Sequence, residues 1–486
     1  MRSTILRALP MVVWLPMMVL AGTFAAADGT LRLFAAAAIV LVMSAIAVVD
    51  PVRGLVVLTV WLVAVGIVRR LFTGLDGSTA TADPFLIVAP LVFIVLGLVA
   101  LNAGALRHRS PLTNSVLALT TALTLSAMNP LQSDLFGGLI GIALVVTPML
   151  AFLVGRSLVD RSQLRRLLAT VAVLGVPVAI YGHVQTAVGF PSWDQRWIDL
   201  QGYSALYVAE GVVRPFGSFA SGNAFATFVA VGVVIALACL GRVRPTIIVP
   251  AAGIMATAVW YSGIRTVLVL LVAAVGLMLA ARAGWGPLRA VIVGLAVVAA
   301  LPLAVSFIAP DALSSNASGA LTARQISGLT DPFGDDSTLI AHLQLLDGGV
   351  RTAFREPLGL GIGAVTGDAR LGGVSAATEK DLGDAGVAAG LLGLGLYLAV
   401  AITGLSRTYR LAARSRGAVE LAAMGILIVT FQHWLTGGMS SVTWFTWLVL
   451  GWVDSETSHP PSDPGEAIDD VPQTSRSPGA SSSVRR

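Results

Sequence analysis

The chain has 486 residues, of which 56% are hydrophobic and only 12% are charged, about half the charged fraction of an ordinary soluble domain. This composition excludes a soluble globular protein and indicates a polytopic membrane protein. The net charge of +5 gives no indication of nucleic-acid binding, because the basic residues lie in short segments between apolar runs, and the single cysteine, Cys239, excludes disulfides and cysteine-based metal sites.

Apolar runs of about 20 residues, the length that crosses a bilayer, follow one another along most of the chain. We predict an all-α polytopic membrane protein with about 12–14 membrane helices. The predicted spans are residues 9–26, 31–49, 52–68, 85–106, 112–128, 136–154, 164–189, 224–240, 246–260, 266–281, 288–308, 382–405, 419–435 and 442–453. The first span could instead be a cleaved signal peptide, because Arg2 and Arg7 precede it and small residues follow it.

Basic residues in short loops predict the orientation, because lysine and arginine concentrate on the cytoplasmic side. Five groups fall on one side of the predicted alternation, which we therefore assign to the cytoplasm. They are Arg107 with Arg109, Arg156 to Arg166, Arg242 with Arg244, Arg282 with Arg289, and Arg407 to Arg416. Arg69 and Arg70 fall on the other side and are the one clear exception. Residues 190–222 and 309–381 are then predicted to face outward.

The segment 309–381 carries many charges and could not sit in a bilayer. Connections longer than about 15 residues are usually functional or disordered. In this segment Leu339, Leu343, Leu346, Val350 and Phe354 recur at helical spacing, which predicts an amphipathic helix that Pro357 ends. The predicted parts are membrane helices in 1–308 with an outer loop at 190–222, one large extracytoplasmic loop domain at 309–381, membrane helices in 382–453, and a disordered cytoplasmic tail at 454–486.

Several polar side chains lie in the predicted outer layer. An ionisable residue at membrane depth is costly and is a candidate for function, whereas arginine, tyrosine and tryptophan are ordinary at the interface. We favour function for Arg265, which stands in a tight turn, and the interfacial interpretation for His433 and Trp434. The other polar residues of this layer are Tyr181, His183, Gln185, Arg214, Asn223 and Gln432.

Asp347, Arg351 and Arg355 lie one turn apart on the polar side of the predicted amphipathic helix. They could form a solvated ion pair, or they could hold an anionic headgroup, and the helix alone favours neither. The glycine-rich residues 357–363 that follow permit positive φ and close backbone approach. They are a weak signal for phosphate binding.

Three of these patterns, in this order, resemble the bacterial O-antigen ligase and polymerase family. Arg214-Pro-Phe-Gly-Ser-Phe through Asn223 is similar to the family's Arg-x-x-Gly-Thr-Phe-x-x-x-Asn entry to a helix. The turn 262–266 is similar to its Ser-Arg-Thr turn, and residues 351–361 are similar to its Arg…Pro-Leu-x-Gly-x-Gly run. A fourth pattern departs, because Glu379 and Lys380 occupy the places of the family's His-Asn pair. The resemblance covers residues 164–405.

The resemblance implies a GT-C-like fold in the bacterial cytoplasmic membrane, with a site that faces outward. It also implies transfer of a glycan from an undecaprenyl-diphosphate carrier onto the hydroxyl of an acceptor glycan or lipid. The leaving diphosphate needs cations, and arginine meets phosphate oxygens bidentately and stays charged. The candidate substrate-binding residues are Arg214, Arg265, Arg351, Arg355, His183, Gln185 and Asn223. Glu379 is the candidate base in place of the family's histidine, and we expect neither a metal nor a cofactor.

Two other functions remain open from the sequence. A transporter or lipid flippase without bond-forming chemistry would usually show paired halves with broken helices, and no internal repeat of that kind is visible. An envelope scaffold or subunit without activity is the third alternative, because the family's histidine is missing. A lipid-linked glycan transferase is favoured, as either a ligase or a polymerase.

Overall fold

The computed structural model describes residues 30–76, 83–132, 135–201, 206–209, 211–307, 317–334, 339–366, 378, 381–435 and 440–458. Eight of the described helices are long and apolar enough to cross a membrane, and three shorter helices are also apolar. The chain is therefore an all-α multi-pass membrane protein, which confirms the predicted class.

In chain order the helices are α1 Thr30–Val49, α2 Pro51–Asp76, α3 Phe85–Asn102, α4 Pro111–Ser126, α5 Leu135–Ser157 with a π-helical part at Ile142–Val146, α6 Arg161–Ala187, α7 Ser192–Gln201, α8 Gly222–Ala238, α9 Pro245–Tyr261, α10 Arg265–Arg282, α11 Pro287–Ser306, α12 Ala317–Thr330, α13 Leu339–Arg355, α14 Ile362–Thr366, α15 Asp381–Ser415, α16 Ala418–Val429 and α17 Ser440–Ser458. A small antiparallel sheet, β1 Tyr207–Ala209 and β2 Val212–Val213, precedes α8.

Every predicted span after the first coincides with one of these helices, and residues 9–26 lie outside the described part of the chain. Several observed helix ends differ from the predicted ones. Helix α15 continues to Ser415, beyond the apolar run, because its charged end is made of good helix formers. Helix α16 ends at Val429, where the chain turns back into the bundle, and α17 runs on to Ser458. The predicted tail therefore begins inside a helix, and residues 459–486 lie outside the description.

Contacts between helix ends can be compared with the predicted orientation, because helix ends on the same side of the membrane should lie near one another. At the predicted cytoplasmic end, the buried Asp454 carboxylate accepts a hydrogen bond from Thr113 Oγ1 at 2.7 Å. It pairs with Arg407 at 2.6 Å and also with Arg156. Segments that the sequence assigns to the cytoplasm thus lie together at one end of the bundle.

Arg69 and Arg70, the exception to the charge rule, lie in the protein interior at the opposite end. Arg69 pairs with Asp83 at 2.7 Å, and Arg70 pairs with Asp194 at 2.7 Å, with both side chains of the second pair fully buried. The two arginines are therefore structural residues rather than part of a solvated loop, which accounts for their position.

Helix α15 is broken near its start. Ala389 and Gly390 leave the helical region, and Gly390 has φ +62° and ψ −147°. Three backbone hydrogen bonds of 2.7–3.2 Å join residues 357–361 to residues 387–391 across this break. Irregular backbone at membrane depth is tolerated where other protein groups satisfy it, and the glycine-rich segment provides those groups.

The glycine-rich segment shows the close approach that its composition permits. Gly359 and Gly361 have φ of +77° and +98°. A Cβ on Gly359 would lie 2.5 Å from Ala388 O, so a larger residue would push the segment off the helix. Asn129 Nδ2 donates to Gly359 O at 2.8 Å and fixes the segment to the end of α4.

Gly390→Ala should destabilise the protein by about 1–3 kcal/mol, the cost of a side chain in a backbone region that only glycine readily adopts. An added Cβ would also overlap the carbonyl of Pro357. Gly395→Ala in the same helix is the matched control, since its Cβ would meet nothing within 4 Å. Thermal unfolding in detergent measures both variants, and equal melting temperatures would contradict the break.

Candidate functional site

Arg214 lies directly after β2 and reaches the turn that precedes α10. Its Nη1 donates to Gly263 O at 2.9 Å, and its backbone N donates to Leu206 O at 2.8 Å. Its side chain runs along Gly222, the first residue of α8, where an added Cβ would lie 3.6 Å from Arg214 Cδ. Arg214 therefore lies between the beginnings of two helices, α8 and α10.

Arg265 is the first residue of α10, and its side chain lies against α12. Its Nη2 donates to Arg324 O at 3.1 Å. A Cβ on Gly328 would overlap the Arg265 guanidinium, so this position of α12 must be glycine for the arginine to lie there. Since Gly263 and Arg265 belong to one turn, the structure brings Arg214 and Arg265 together.

Arg324, whose carbonyl accepts the hydrogen bond from Arg265, also has a bonded guanidinium group. Arg324 on α12 donates through Nη1 to Val208 O at 2.8 Å, which ties this helix to β1. Backbone carbonyl groups accept hydrogen bonds from all three side chains and orient them. Helices α8 and α10 both begin next to Arg214, and a helix N-terminus carries a positive partial charge. Guanidinium groups and helix N-termini are both common partners of anions in proteins.

A buried ion pair supports the segment that carries Arg214. Arg70, fully buried and paired with Asp194, donates through Nη2 to Gly217 O at 2.8 Å and through Nη1 to Phe219 O. Its guanidinium lies 4.9 Å from the centroid of the Phe216 ring. The fold of residues 214–219 thus depends on an arginine from α2.

Gln185 completes this support. Its Nε2 donates to Asp194 Oδ2 at 2.7 Å, and its Oε1 accepts the backbone N–H of Gly217 at 2.8 Å. Tyr181 OH donates to the same carboxylate oxygen at 2.6 Å. Gln185 therefore lies beneath the Arg214 segment as a structural residue.

His183, predicted with Gln185, contacts a different helix. Its Nε2 lies 2.9 Å from Ile254 O, and its ring packs edge-on against Tyr261 with centroids 5.8 Å apart. These contacts join α6 to α9. His183 therefore supports α9, the helix that precedes the turn of Gly263 and Arg265.

Some buried polar atoms of the Arg214 segment, α8 and α12 have no hydrogen-bond partner among the described residues. They are Ser218 Oγ, Asn223 Oδ1 and both amide atoms of Gln325. Gln325 is fully buried on α12, one turn after Leu321, which lies near Gly263, and just before Gly328, which lies at Arg265. A buried polar group that is left without any hydrogen bond costs about 1–3 kcal/mol, so these atoms are candidates for contact with a ligand or with water.

The remaining predicted site residues lie elsewhere. Arg351 pairs with Asp347 on its own helix at 2.8 Å, with exposed fractions of 67% and 56%, and Arg355 is also exposed. The solvated i,i+4 pair is therefore present, and Arg351 is not drawn into the arginine turn. Glu379, the predicted base, lies outside the described residues with Lys380.

Asp381, close to Glu379 in the chain, is buried at the start of α15. It accepts hydrogen bonds from Tyr397 OH at 3.2 Å and from the backbone N–H of Trp434. Trp434 is fully buried and packs edge-on against Trp447, and His433 is only 4% exposed. The interfacial interpretation of His433 and Trp434 is therefore wrong, because the turn after α16 folds into the bundle instead of facing lipid.

Sequence reasoning did not single out Asp194, Asp381 or Gln325. Only Arg70 gave a signal, as an exception to the distribution of basic residues. A scan against models of known protein families finds no match to the chain, and a search of curated proteins finds none. What the fold and the site define is a multi-pass helical membrane protein with converging arginines at one end of its bundle.

Proposed function

We propose that the protein transfers a glycan from a lipid-linked diphosphate, of the undecaprenyl-diphosphate kind, onto an acceptor hydroxyl at the outer face of the cytoplasmic membrane. The supporting observation is the convergence of Arg214 and Arg265 at one turn. These residues lie in two of the patterns that resemble the O-antigen ligase and polymerase family, and they are far apart in the chain.

In this transfer the bond between the anomeric carbon and the diphosphate oxygen breaks as the acceptor oxygen bonds to that carbon. Negative charge grows on the departing diphosphate, and donors fixed in advance stabilise that charge strongly. Arg214 and Arg265 bind the diphosphate oxygens, and Arg324 adds a third positive charge. Glu379 takes the proton of the acceptor hydroxyl.

The other candidate residues have supporting roles in this proposal. Gln185, with Arg70 and Asp194, holds the Arg214 segment in the shape that directs its guanidinium. Asn223 lies at the N-terminus of α8, and its amide oxygen, which has no partner among the described residues, can accept a hydrogen bond from a sugar hydroxyl. Arg351 and Arg355 assist by attracting the anionic donor from the membrane surface, and His183 fixes the neighbouring helix.

One observation favours a transporter or lipid flippase as the second candidate. Helix α15 is broken at Ala389–Gly390, and broken helices form the substrate sites of many transporters. In those sites freed backbone groups bind the cargo. Here residues 357–361 bind the freed groups instead, which favours a structural break and supports the transferase.

The two candidates differ in their products. The full chain, reconstituted in vesicles with a lipid-linked glycan and an acceptor, should form a glycan–acceptor conjugate and release one polyprenyl diphosphate for each bond formed. Mass spectrometry of the acceptor and lipid fractions measures both products. Movement of the glycan lipid across the bilayer without a conjugate would overturn the transferase in favour of a transporter.

Gly328→Ala tests the position of Arg265 without changing a charge. The added Cβ would displace the guanidinium, and misplacing a catalytic group can cost on the order of 10²-fold in rate. We expect transfer to fall in this way while the melting temperature changes little, because an arginine side chain can rotate away. Gly348→Ala on α13, where a Cβ meets nothing within 4 Å, is the control. Parental transfer in both variants would contradict the assigned role of Arg265.

A further inference from the structure

An apolar stripe on α13 is left uncovered by the rest of the described protein. It consists of the exposed Leu339, Leu343 and Phe354 and the half-buried Val350, which share one face of the helix. Leu343 is 51% exposed and Phe354 is 66% exposed. Large apolar side chains concentrated on one exposed face indicate a surface that something apolar covers.

The contact of α13 with the bundle uses a different edge of the helix. Gly349 lies so close to α15 that an added Cβ would be 2.7 Å from Gly383 Cα, and Ala353 Cβ lies against Gly386 in the same way. These small residues bring the two helices together and leave the stripe beside the contact. The stripe therefore lies beside α15 and is not covered by that helix.

Beside the stripe lie further exposed apolar residues, after α13 and on α15. Leu358, just after α13, is 84% exposed, and the carbonyl of Pro357 accepts the N–H of Leu391 at 3.2 Å. Leu391 and Leu392 are themselves exposed on α15, a helix long and apolar enough to cross the membrane. Apolar side chains exposed on such a helix are expected to meet acyl chains, so the stripe continues an apolar surface of the bundle.

The neighbouring helices place this surface at one membrane boundary. Asn129, which donates a hydrogen bond to Gly359 O, follows the C-terminal end of α4. Ser110 and Thr113 lie at the other end of α4 and donate hydrogen bonds to the Asp454 carboxylate. Met128, beside Asn129, is 75% exposed. The stripe thus lies at the bundle end farthest from Asp454, which is the predicted outer boundary.

The edge of α13 next to the stripe carries polar residues. Gln344, Asp347, Arg351 and Arg355 are exposed there, and Asp347 pairs with Arg351 within the helix. A helix with one exposed apolar face and one exposed charged face binds in the plane of a membrane interface. We propose that α13 lies in the outer interface of the bilayer, with its stripe among the upper acyl chains and its polar edge among the headgroups. This placement does not depend on the proposed transfer reaction.

Site-directed labels in vesicles test the placement. In the full chain with Cys239→Ser, single cysteines replace Leu343 or Phe354 on the stripe and Gln344 or Arg355 on the polar edge. Each variant carries an environment-sensitive fluorophore in phosphatidylcholine–phosphatidylglycerol vesicles. Two positions on each side preserve the comparison if one variant fails to fold.

A lipid with a nitroxide near the top of its acyl chain should quench the two stripe labels more strongly than aqueous iodide does. The two polar-edge labels should show the reverse order. Iodide quenching of all four labels to the same extent would overturn the proposal, because the stripe would then face water. Stripe labels that neither quencher reaches would also overturn it, since a second copy of the chain or another protein would then cover the stripe.

Discussion

Replacing Arg265 with alanine is expected to lower the rate of glycan transfer by about 10²–10³-fold, the usual effect of removing one fixed donor that stabilises developing charge. Arg265→Lys should give an intermediate rate, because lysine keeps the charge but loses the planar fork that meets phosphate oxygens. The ratio kcat/KM for the lipid-linked donor, measured with the chain in vesicles, gives both effects. Arg214→Ala should behave like Arg265→Ala.

The matched control for this prediction is Arg53→Ala. Arg53 lies at the predicted cytoplasmic end of α2, is 82% exposed, and pairs with Asp50 at 3.1 Å. Exposed pairs of this kind contribute about 0–1 kcal/mol, so transfer should stay at the parental rate. Equal rates for Arg53→Ala and Arg265→Ala would remove the argument for an arginine site.

Replacing Asp194 with asparagine is expected to destabilise the protein by about 3–5 kcal/mol, because breaking a buried ion pair leaves an uncompensated charge. Arg70 would then be that charge, since both members of the pair are fully buried. Thermal unfolding in detergent measures the loss. The backbone of residues 214–219 should also change conformation, because Arg70 and Gln185 hydrogen-bond to it at Gly217.

Asp199→Asn provides the control for this substitution, because Asp199 lies on the same helix, α7, and is exposed to solvent. Its melting temperature should match that of the parent. The double variant Arg70→Met with Asp194→Leu removes both charges and should regain part of the stability lost in Asp194→Asn. An Asp194→Asn variant as stable as Asp199→Asn would show that the pair does not support the fold.

The membrane helices could be predicted because the bilayer imposes their length on the sequence. For the same reason the amphipathic helix α13 was visible as a repeating pattern, with bounds close to those observed. The break in α15 could not be predicted, because Gly390 alone is compatible with a continuous helix. Its geometry depends on residues 357–361, which bind the broken backbone from a distant part of the chain.

The candidate site was predictable only in part. The order of the patterns pointed to Arg214 and Arg265, and the structure joins them at one turn. The pairing of Arg70 with Asp194 links α2 to α7, and no local spacing in the sequence indicates such a partner. Gln325 could not be predicted for a similar reason, since a glutamine on a helix becomes unusual only when packing buries it with no partner among the described residues.

Direct binding of a polyprenyl diphosphate without its glycan tests the central claim with no need for turnover. Isothermal titration with the full chain in detergent should show saturable binding by the parent and by Arg53→Ala. Charge-assisted hydrogen bonds contribute about 1.5–3 kcal/mol each, so Arg214→Ala and Arg265→Ala should each weaken binding by roughly 10–100-fold. The same affinity in all four proteins would contradict the claim that these two arginines bind a diphosphate.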